Sequence, residues 1–408
     1  MAAPSVTTNV RTLDALRSPN FALLWSAQVV SGFGDKITLF ALAFVTWELT
    51  RSALSTAFAV VIVTVPYASF GFFGGAIADA VGHRRAMIAC DLVRAASIGL
   101  IPIVLALGAP LAVVYMLVLV AALCTTVFNP ARLAIVPDLV PRDRLGASNS
   151  MVYASDRTVE IVGALLAGFL VAALGVFAFY VDALTFILSA LLLLRISMTE
   201  PARRSLSVRG MVRDTAAGFA VIRRTTVLWA NTVFSLIAQL SLPVINGLTP
   251  VLIFREYGLG PEQFGAAEAS MAVGAVVAGL ALPGILSRYR KGPVIVAGFG
   301  AFGILLIAIA VSPSFPVTLA LFALTGVANV VFFVPNVTLS QEVTPPALRA
   351  RVFGVRMALL NLTWLPVILV TGAIAEVVSV QALLAAAGLL TLGTALVGVR
   401  FRSIRDVA

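Results

Sequence analysis

Apolar runs about as long as a lipid bilayer is thick fill nearly all of this 408-residue chain. A hydrocarbon core about 30 Å thick is crossed by about 20 apolar residues in a helix. Hydrophobic residues make up 60% of the chain and charged residues only 11%, too few polar side chains to cover a water-soluble domain of this size. The sequence therefore predicts an all-α membrane protein.

Cutting the chain at bilayer length, and at proline, glycine and charged residues, predicts twelve transmembrane helices. They fall near residues 21–49, 55–79, 86–107, 110–130, 150–173, 176–195, 227–252, 262–287, 293–312, 315–335, 354–377 and 381–400.

Glycine, proline and arginine residues of the first half recur at matching positions in the second half. At one common offset of about half the chain length, Gly74 aligns with Gly279, Arg85 with Arg290, Pro130 with Pro335, Pro141 with Pro346 and Arg144 with Arg349. Such a repeat predicts two pseudo-symmetric six-helix bundles. We place the N-terminal bundle at residues 1–195, a basic cytoplasmic linker at 196–226, and the C-terminal bundle at 227–408.

The basic residues predict the orientation. Of the 28 Lys and Arg, Arg51 and Arg255 fall in loops on one side, Lys36 lies within a span, and the others lie at or toward the opposite side. By the positive-inside rule that basic side is cytoplasmic, so both termini are cytoplasmic in a multi-pass protein of the cell inner membrane. The cations are spread over short loops beside spans, which favours membrane lipids rather than nucleic acid as partners.

Two six-helix bundles joined by a cytoplasmic linker are the layout of a carrier that exposes a central site alternately to each side. The chain has no nucleotide-binding loop and no nucleophile motif, and His83 is its one histidine. We therefore expect a secondary transporter of a small molecule, a monomer without cofactor, metal or enzyme activity. A polytopic membrane enzyme and a channel are the alternatives from other classes.

The segment from Gly75 to Arg85, Gly-Ala-Ile-Ala-Asp-Ala-Val-Gly-His-Arg-Arg, resembles the loop signature of the major facilitator superfamily. Segments around it look like the drug:proton antiporter-3 branch, which includes macrolide efflux and enterobactin export proteins; they are residues 20–35, 90–95, 128–138 and 182–186. The resemblance implies the major facilitator fold and proton-coupled efflux of an amphipathic drug-like compound or natural product. The alternative is a siderophore or metabolite transporter with other coupling or direction.

Two departures from the family pattern bear on mechanism. Ala80 replaces the usual basic residue, so a partner for Asp79 must come from His83 or the arginines after it. Span five also lacks the proline that related antiporters often carry, and this leaves the direction of transport open.

The loop signature also has a physical rationale. Asp79 can pair with a basic residue while the cytoplasmic face is closed, and would then act as a latch; alternatively, its charge and those of the arginines only set topology. We assign this cytoplasmic gate to Gly75, Asp79, Gly82, His83, Arg84, Arg85, Asp91, Arg94 and Arg132. Asp91 and Arg94 are three residues apart and are expected to pair on one helix.

Charges within the spans mark the predicted coupling site. Asp35, Lys36 and Glu160 would each cost about 2.5–3.5 kcal/mol at the centre of a span unless paired or hydrated. We expect Lys36 to pair with Glu160 and one carboxylate to carry a proton; a permanent ion pair is the alternative. The predicted proton-coupling and substrate cavity consists of Asp35, Lys36, Glu160, Gln28, Gln239, Asn246 and Asn361. Asp182 and Glu268 are expected nearer the external surface.

Overall fold

The computed structural model describes residues 16–141, 144–198, 216, 218–238, 240–286, 289–345 and 348–400. Within these ranges every regular element is a helix. Most of the predicted linker, residues 199–215 and 217, lies outside the described residues.

The N-terminal set of helices runs through residues 19–194. It comprises α1 (Pro19–Thr50), α2 (Ala53–Val81), α3 (His83–Ala106), α4 (Leu111–Leu139), α5 (Leu145–Thr158), a π-helical segment (Val159–Gly163), α6 (Ala164–Leu174) and α7 (Ala178–Leu194). Local chemistry sets two of the boundaries. Ser52 caps α2 by accepting the backbone N–H of Ser55 at 3.1 Å. Gly82, with φ of 102°, separates α2 from α3 because a side chain would be strained there.

The C-terminal set runs through residues 226–400. It comprises α8 (Thr226–Ala238), α9 (Leu242–Val251), a second π-helical segment (Leu252–Glu256), α10 (Pro261–Leu286), α11 (Lys291–Ala310), α12 (Phe315–Val343), α13 (Arg349–Leu362), α14 (Trp364–Ile374) and α15 (Val380–Arg400).

The helices follow the predicted spans with two instructive differences. Within the described residues, nine stretches are long and apolar enough to cross a bilayer. The fourth and tenth spans were predicted to end at Pro130 and Pro335, but α4 continues to Leu139 and α12 to Val343. A proline removes one backbone hydrogen bond and kinks a helix without having to end it when neighbouring helices pack around it.

The helix connections define two ends of the molecule. We call the end that holds Gly82, residues 140–141 and residue 144 the basic end, and the end that holds residues 51–52, 107–110 and 257–260 the opposite end. Arg51 and Arg255 lie at the opposite end, as the sequence predicted from its alternating spans.

The two sets of helices share a hydrophobic core near the opposite end but have separate cores toward the basic end. The shared core joins residues such as Phe40 of α1 and Phe264 of α10, whose rings stack with centroids 4.3 Å apart. Toward the basic end, one core surrounds Met87 of the N-terminal set and another surrounds Phe299 of the C-terminal set. The two sets are therefore joined mainly at the opposite end.

Candidate functional site

A buried cluster of charges lies at mid-depth in the N-terminal set, centred on Arg94. This residue stands halfway along α3, roughly 16 Å from the helix start at a rise of about 1.5 Å per residue. Its guanidinium lies between the rings of Phe128 and Phe186, at 4.6 and 4.1 Å from their centroids. Only 1% of its side chain is exposed. The aromatic faces stabilise the cation and fix its position.

Three carboxylates surround this guanidinium. Arg94 donates to Asp91 one turn earlier on α3, and its Nη1 lies 3.5 Å from Oδ1 of Asp35 on α1. Asp91 also accepts a 2.6 Å hydrogen bond from Ser189 of α7, which ties the pair to a second helix. The predicted local pairing of Asp91 and Arg94 is confirmed.

The third carboxylate, Asp182, is fully buried on α7. It accepts hydrogen bonds from Thr38 of α1 and, at 3.1 Å, from Thr185 of its own helix. Gly34 allows this approach, because a Cβ on it would overlap the Asp182 carboxylate. The charge of Asp35 also acts on Asp182, so the two carboxylates belong to one electrostatic group.

Asp35 is the member of the cluster that solvent can reach. Its side chain is 46% exposed, whereas Arg94 and Asp91 beside it are 1% and 0% exposed. Lys36 and Arg132 are further cations that act on it. Asp35 is therefore the carboxylate of this group that is accessible from outside, while Asp91 and Asp182 are enclosed by protein.

Carboxylates outnumber the buried guanidinium in this cluster. Asp35, Asp91 and Asp182 all act on Arg94, while Lys36 and Arg132 are further cations that act on Asp35. Burying an unpaired charge costs several kcal/mol, and a carboxylate avoids this cost by taking up a proton. The cluster therefore contains groups whose chemistry suits proton uptake.

The structure places several predicted residues differently from the sequence analysis. Asp91 and Arg94 were grouped with the cytoplasmic gate, but they lie at mid-depth with Asp35. Asp182, expected nearer the external end of span six to help gate or to reach interfacial water, is four residues from the start of α7 and is fully buried, so of these two roles the structure excludes contact with water in this conformation. Sequence position along a span gave only approximate depth, and it gave no information about which face of the helix each residue occupies.

A second polar network lies nearer the basic end and joins three helices of the N-terminal set. Gln28 of α1 donates to Asp156 of α5 at 2.7 Å, and Arg132 of α4 lies 3.3 Å from the same carboxylate. Trp25 donates to Ser155 at 2.6 Å beside it. Arg132, predicted for the gate, and Gln28, predicted for the cavity, therefore share one partner. Sequence reasoning did not identify that partner, Asp156.

Lys36 and Glu160 lie near each other but are not an ion pair in the structure. Within the described residues, the ion partner of Glu160 is Arg157, at 2.5 Å on the same helix. The Lys36 side chain packs against Gly163, in the π-helical segment that contains Glu160: a Cβ added to Gly163 would stand 3.3 Å from Cγ of Lys36. The expected pairing of Lys36 with Glu160 is wrong for this conformation. Such a π-helical segment inside a helix is frequent at functional sites.

The loop signature at the basic end has a local partner arrangement. Asp79 is exposed on α2 and lies 2.9 Å from Nε2 of His83, one turn later. Arg84 donates to the carbonyl oxygens of Leu193 and Leu194 at the end of α7, at 2.9 and 2.6 Å. The remaining gate residues include Gly75 within α2, Gly82 at the break, and Arg85 exposed beside it. Asp79 thus contacts its own set of helices.

The C-terminal set also has a buried polar network nearer the basic end, comparable to the network around Asp156 in the N-terminal set. Asn231 of α8 and Asn336 of α12 exchange hydrogen bonds, with Nδ2 of Asn336 donating to Oδ1 of Asn231 at 2.7 Å. Arg356 of α13 donates to Asn336 at 2.6 Å and to Ser235 at 2.9 Å. It is 3% exposed and, within the described residues, has no carboxylate within 4 Å. The sequence counted Arg356 only among cations that set topology.

Three more residues were predicted to line the cavity. Asn246 is partly buried on α9. Gln239 lies outside the described residues, and the side chain of Asn361 on α13 does too.

The whole chain matches a known family and a known fold. Residues 10–406 match the family model described as transmembrane secretion effector. Macrolide efflux protein A of Streptococcus pyogenes is 25% identical over 360 residues, which cover 87% of this chain and 88% of that protein. Multidrug efflux pump Tap of Mycolicibacterium fortuitum is 26% identical over 353 residues, covering 83% and 85%.

Solved structures of low identity share the fold. The nucleoside transporter NupG, as its D323A mutant, superposes with a TM-score of 0.75 at 13% identity over 93% of this chain and 98% of that one. A bacterial homologue of the human lysosomal transporter Spinster, inward-facing and unoccupied, gives 0.67 at 14% identity and 94% coverage of both chains. The protein is a multi-pass membrane transporter of the transmembrane secretion effector family in the major facilitator superfamily, and not an enzyme.

Proposed function

We propose that this transporter is a proton-coupled exporter of small amphipathic drug-like compounds. The observation that carries the proposal is the buried cluster of Asp35, Asp91, Asp182 and Arg94, in which carboxylates outnumber the cation and one of them reaches solvent. The relatives named for macrolide and multidrug efflux support the solute class and the outward direction. The proposed coupling ion is a proton, because protonation neutralises a buried carboxylate and removes the cost of its unpaired charge.

We further propose alternating access between two six-helix domains, residues 1–195 and 227–408, joined by the linker at 196–226. The separate cores toward the basic end and the shared core at the opposite end support this division. A membrane potential of 100 mV supplies about 2.3 kcal/mol per proton, which drives export without nucleotide hydrolysis. The basic end then faces the cytoplasm, with both termini there.

In this scheme Arg94 holds the cluster together while protons exchange at Asp35. A proton taken up from outside neutralises one carboxylate, and its release to the cytoplasm restores the negative charge. The cluster lies in the N-terminal set, so rocking of this set about the opposite-end contacts would change the hydration of Asp35. The protein therefore couples proton movement to conformation without a second ion.

The test is transport by purified protein in proteoliposomes with an imposed pH gradient and a radiolabelled macrolide as solute. We expect saturable macrolide flux that depends on the gradient. Asp182→Asn and Arg94→Gln should each reduce gradient-driven flux at least tenfold. Glu48→Gln is the matched control, because the ion partner of Glu48 among the described residues is exposed Arg51, at 2.8 Å. Macrolide flux that is indifferent to the pH gradient would refute proton coupling.

A further inference from the structure

Two carboxylates from different halves of the chain lie one turn from a tight helix crossing. At this crossing, a Cβ added to Gly265 of α10 would stand 2.5 Å from the carbonyl oxygen of Ala164 on α6. The two helices run in opposite directions, since α6 ends and α10 begins at the opposite end. Stepping toward the basic end leads from Ala164 back to Glu160 and from Gly265 forward to Glu268. Both steps are about one helical turn.

Lys36 of α1 packs against the segment that carries the first of these carboxylates. The π-helical segment of Glu160 packs against both α1 and α10. The Lys36 side chain crosses this segment at Gly163, and the charges that act on Glu268 are those of Lys36, which attracts it, and Glu160, which repels it. The charges of an ammonium group and a carboxylate from opposite halves of the transporter therefore act on each other.

Among the described residues, Lys36 and Glu268 are not joined as an ion pair in this conformation. Arg157 neutralises Glu160 on its own helix at 2.5 Å. Within the described part of the chain, neither Lys36 nor Glu268 has an ion pair within 4 Å. Glu268 is therefore a carboxylate of the other half on which the charge of Lys36 acts, and among the described residues it has no ion partner.

Closure at the opposite end determines whether these two groups can meet. The crossing of α6 and α10 and the stacked rings of Phe40 and Phe264 lie on the same side of the boundary, and both must separate when that end opens. Separation carries Glu268 away with the C-terminal set, while Lys36 stays with the N-terminal set. Glu268 then becomes a hydrated carboxylate without its lysine.

We propose that Glu268 is a binding site for one cation, a proton or the cationic group of a solute, and that Lys36 expels this cation when the opposite end closes. The site loads in the open form, where Lys36 is distant. Closure brings the ammonium group to the carboxylate, and a bound proton leaves its oxygen for water on the basic side. Lys36 remains protonated, so charge and atoms balance. This inference rests on the proposed proton-coupled export and adds a second site to it.

The test is an infrared pH titration of purified protein, which follows the carbonyl stretch of protonated carboxylic acids. In Lys36→Met the expelling charge is absent, so one more carboxyl group than in the wild type should stay protonated to a pH about one unit or more higher, a tenfold change in the proton affinity of Glu268. This added band should disappear in the double variant Lys36→Met/Glu268→Gln. It should persist in Lys36→Met/Glu262→Gln, the control, because Glu262 is exposed in the first turn of the same helix.

Tetraphenylphosphonium distinguishes the two kinds of cation. If it lowers the pH midpoint of the added band, the site accepts an organic cation as well as a proton; if it does not, the site takes the proton alone. The inference is overturned if Lys36→Met shows no added band, or if the band survives Glu268→Gln. Since the titration involves no transport, loss of gradient-driven macrolide flux would refute the proposed function separately.

Discussion

Glu376 provides the sharpest test of how the opposite end is held shut. It follows α14 in the C-terminal set, and its Oε1 accepts hydrogen bonds from the Ser52 hydroxyl at 2.6 Å and the Leu54 N–H at 2.9 Å. Both donors are at the N-terminus of α2 in the N-terminal set, where the helix dipole favours a negative charge. A single carboxylate therefore caps a helix of the other half.

The size of this effect can be estimated from the geometry. Hydrogen bonds to a charged group contribute about 1.5–3 kcal/mol when buried, whereas exposed charge pairs contribute about 0.2–1 kcal/mol. Glu376 is exposed, so we take about 1 kcal/mol for its charge. Since 1.4 kcal/mol is a factor of ten, Glu376→Gln should shift the closed-to-open ratio at this end about fivefold toward open.

The assay is a distance distribution between two spin labels at the opposite end. Leu107 and Val311 lie in turns of different halves and are 79% and 74% exposed, so Leu107→Cys and Val311→Cys accept labels without disturbing the core. Cys90 and Cys124 are replaced by serine first. Glu256→Gln is the control, because Glu256 contacts Arg255 and Gln381 of its own half. An unchanged distribution in Glu376→Gln would show that the carboxylate does not latch the halves.

The same latch has a defined pH dependence. Partial burial opposes ionisation of Glu376, but the hydrogen bonds from Ser52 and Leu54 outweigh it and lower the pKa of this carboxyl below its ordinary value. A lowered pKa means that the latch contributes fully above the usual glutamate range and is lost as pH falls through the lowered pKa. The spin-label distances of the wild type should therefore stay constant near neutral pH and lengthen only in acid.

Three further predictions concern packing and buried charge. Gly265→Ala should shift the same label distances toward the open form, because its Cβ would stand 2.5 Å from the backbone oxygen of Ala164; an unshifted distribution would contradict the tight crossing. Asp156→Asn should lower the thermal unfolding midpoint by about 2–4 °C, measured by intrinsic fluorescence, because Arg132 loses its carboxylate at 3.3 Å. Arg356→Met should raise that midpoint by a similar amount, because it removes a buried cation that has no nearby carboxylate within the described residues. A lower midpoint would show that the hydrogen bonds of Arg356 outweigh the cost of burying its charge.

Sequence reasoning predicted the helices well because the bilayer fixes their length. The predicted start of the tenth span at residue 315 matches α12, which begins at Phe315. Its predicted end at Pro335 does not match, because a proline inside a packed membrane helix need not end it. Length and hydropathy therefore locate spans, while their exact ends depend on neighbouring helices.

The candidate site was harder to predict because sequence position gives depth but not direction. Asp35 and Lys36 are adjacent, yet one faces Arg94 of α3 while the other packs on Gly163. Successive residues on a helix point about 100° apart, so the two were expected to separate. Which helix each would meet depended on the packing of α1 against its neighbours, and a single sequence does not contain that information.

The internal repeat predicts shared geometry but not shared chemistry. In the N-terminal set, the network nearer the basic end pairs Arg132 with the Asp156 carboxylate. In the C-terminal set, the corresponding network surrounds Arg356 with neutral amide and hydroxyl groups. A twofold-related pair of proton sites would require carboxylates in both networks and at mid-depth in both halves. The cluster around Arg94 belongs to one half alone, so two halves of similar fold carry different buried charges.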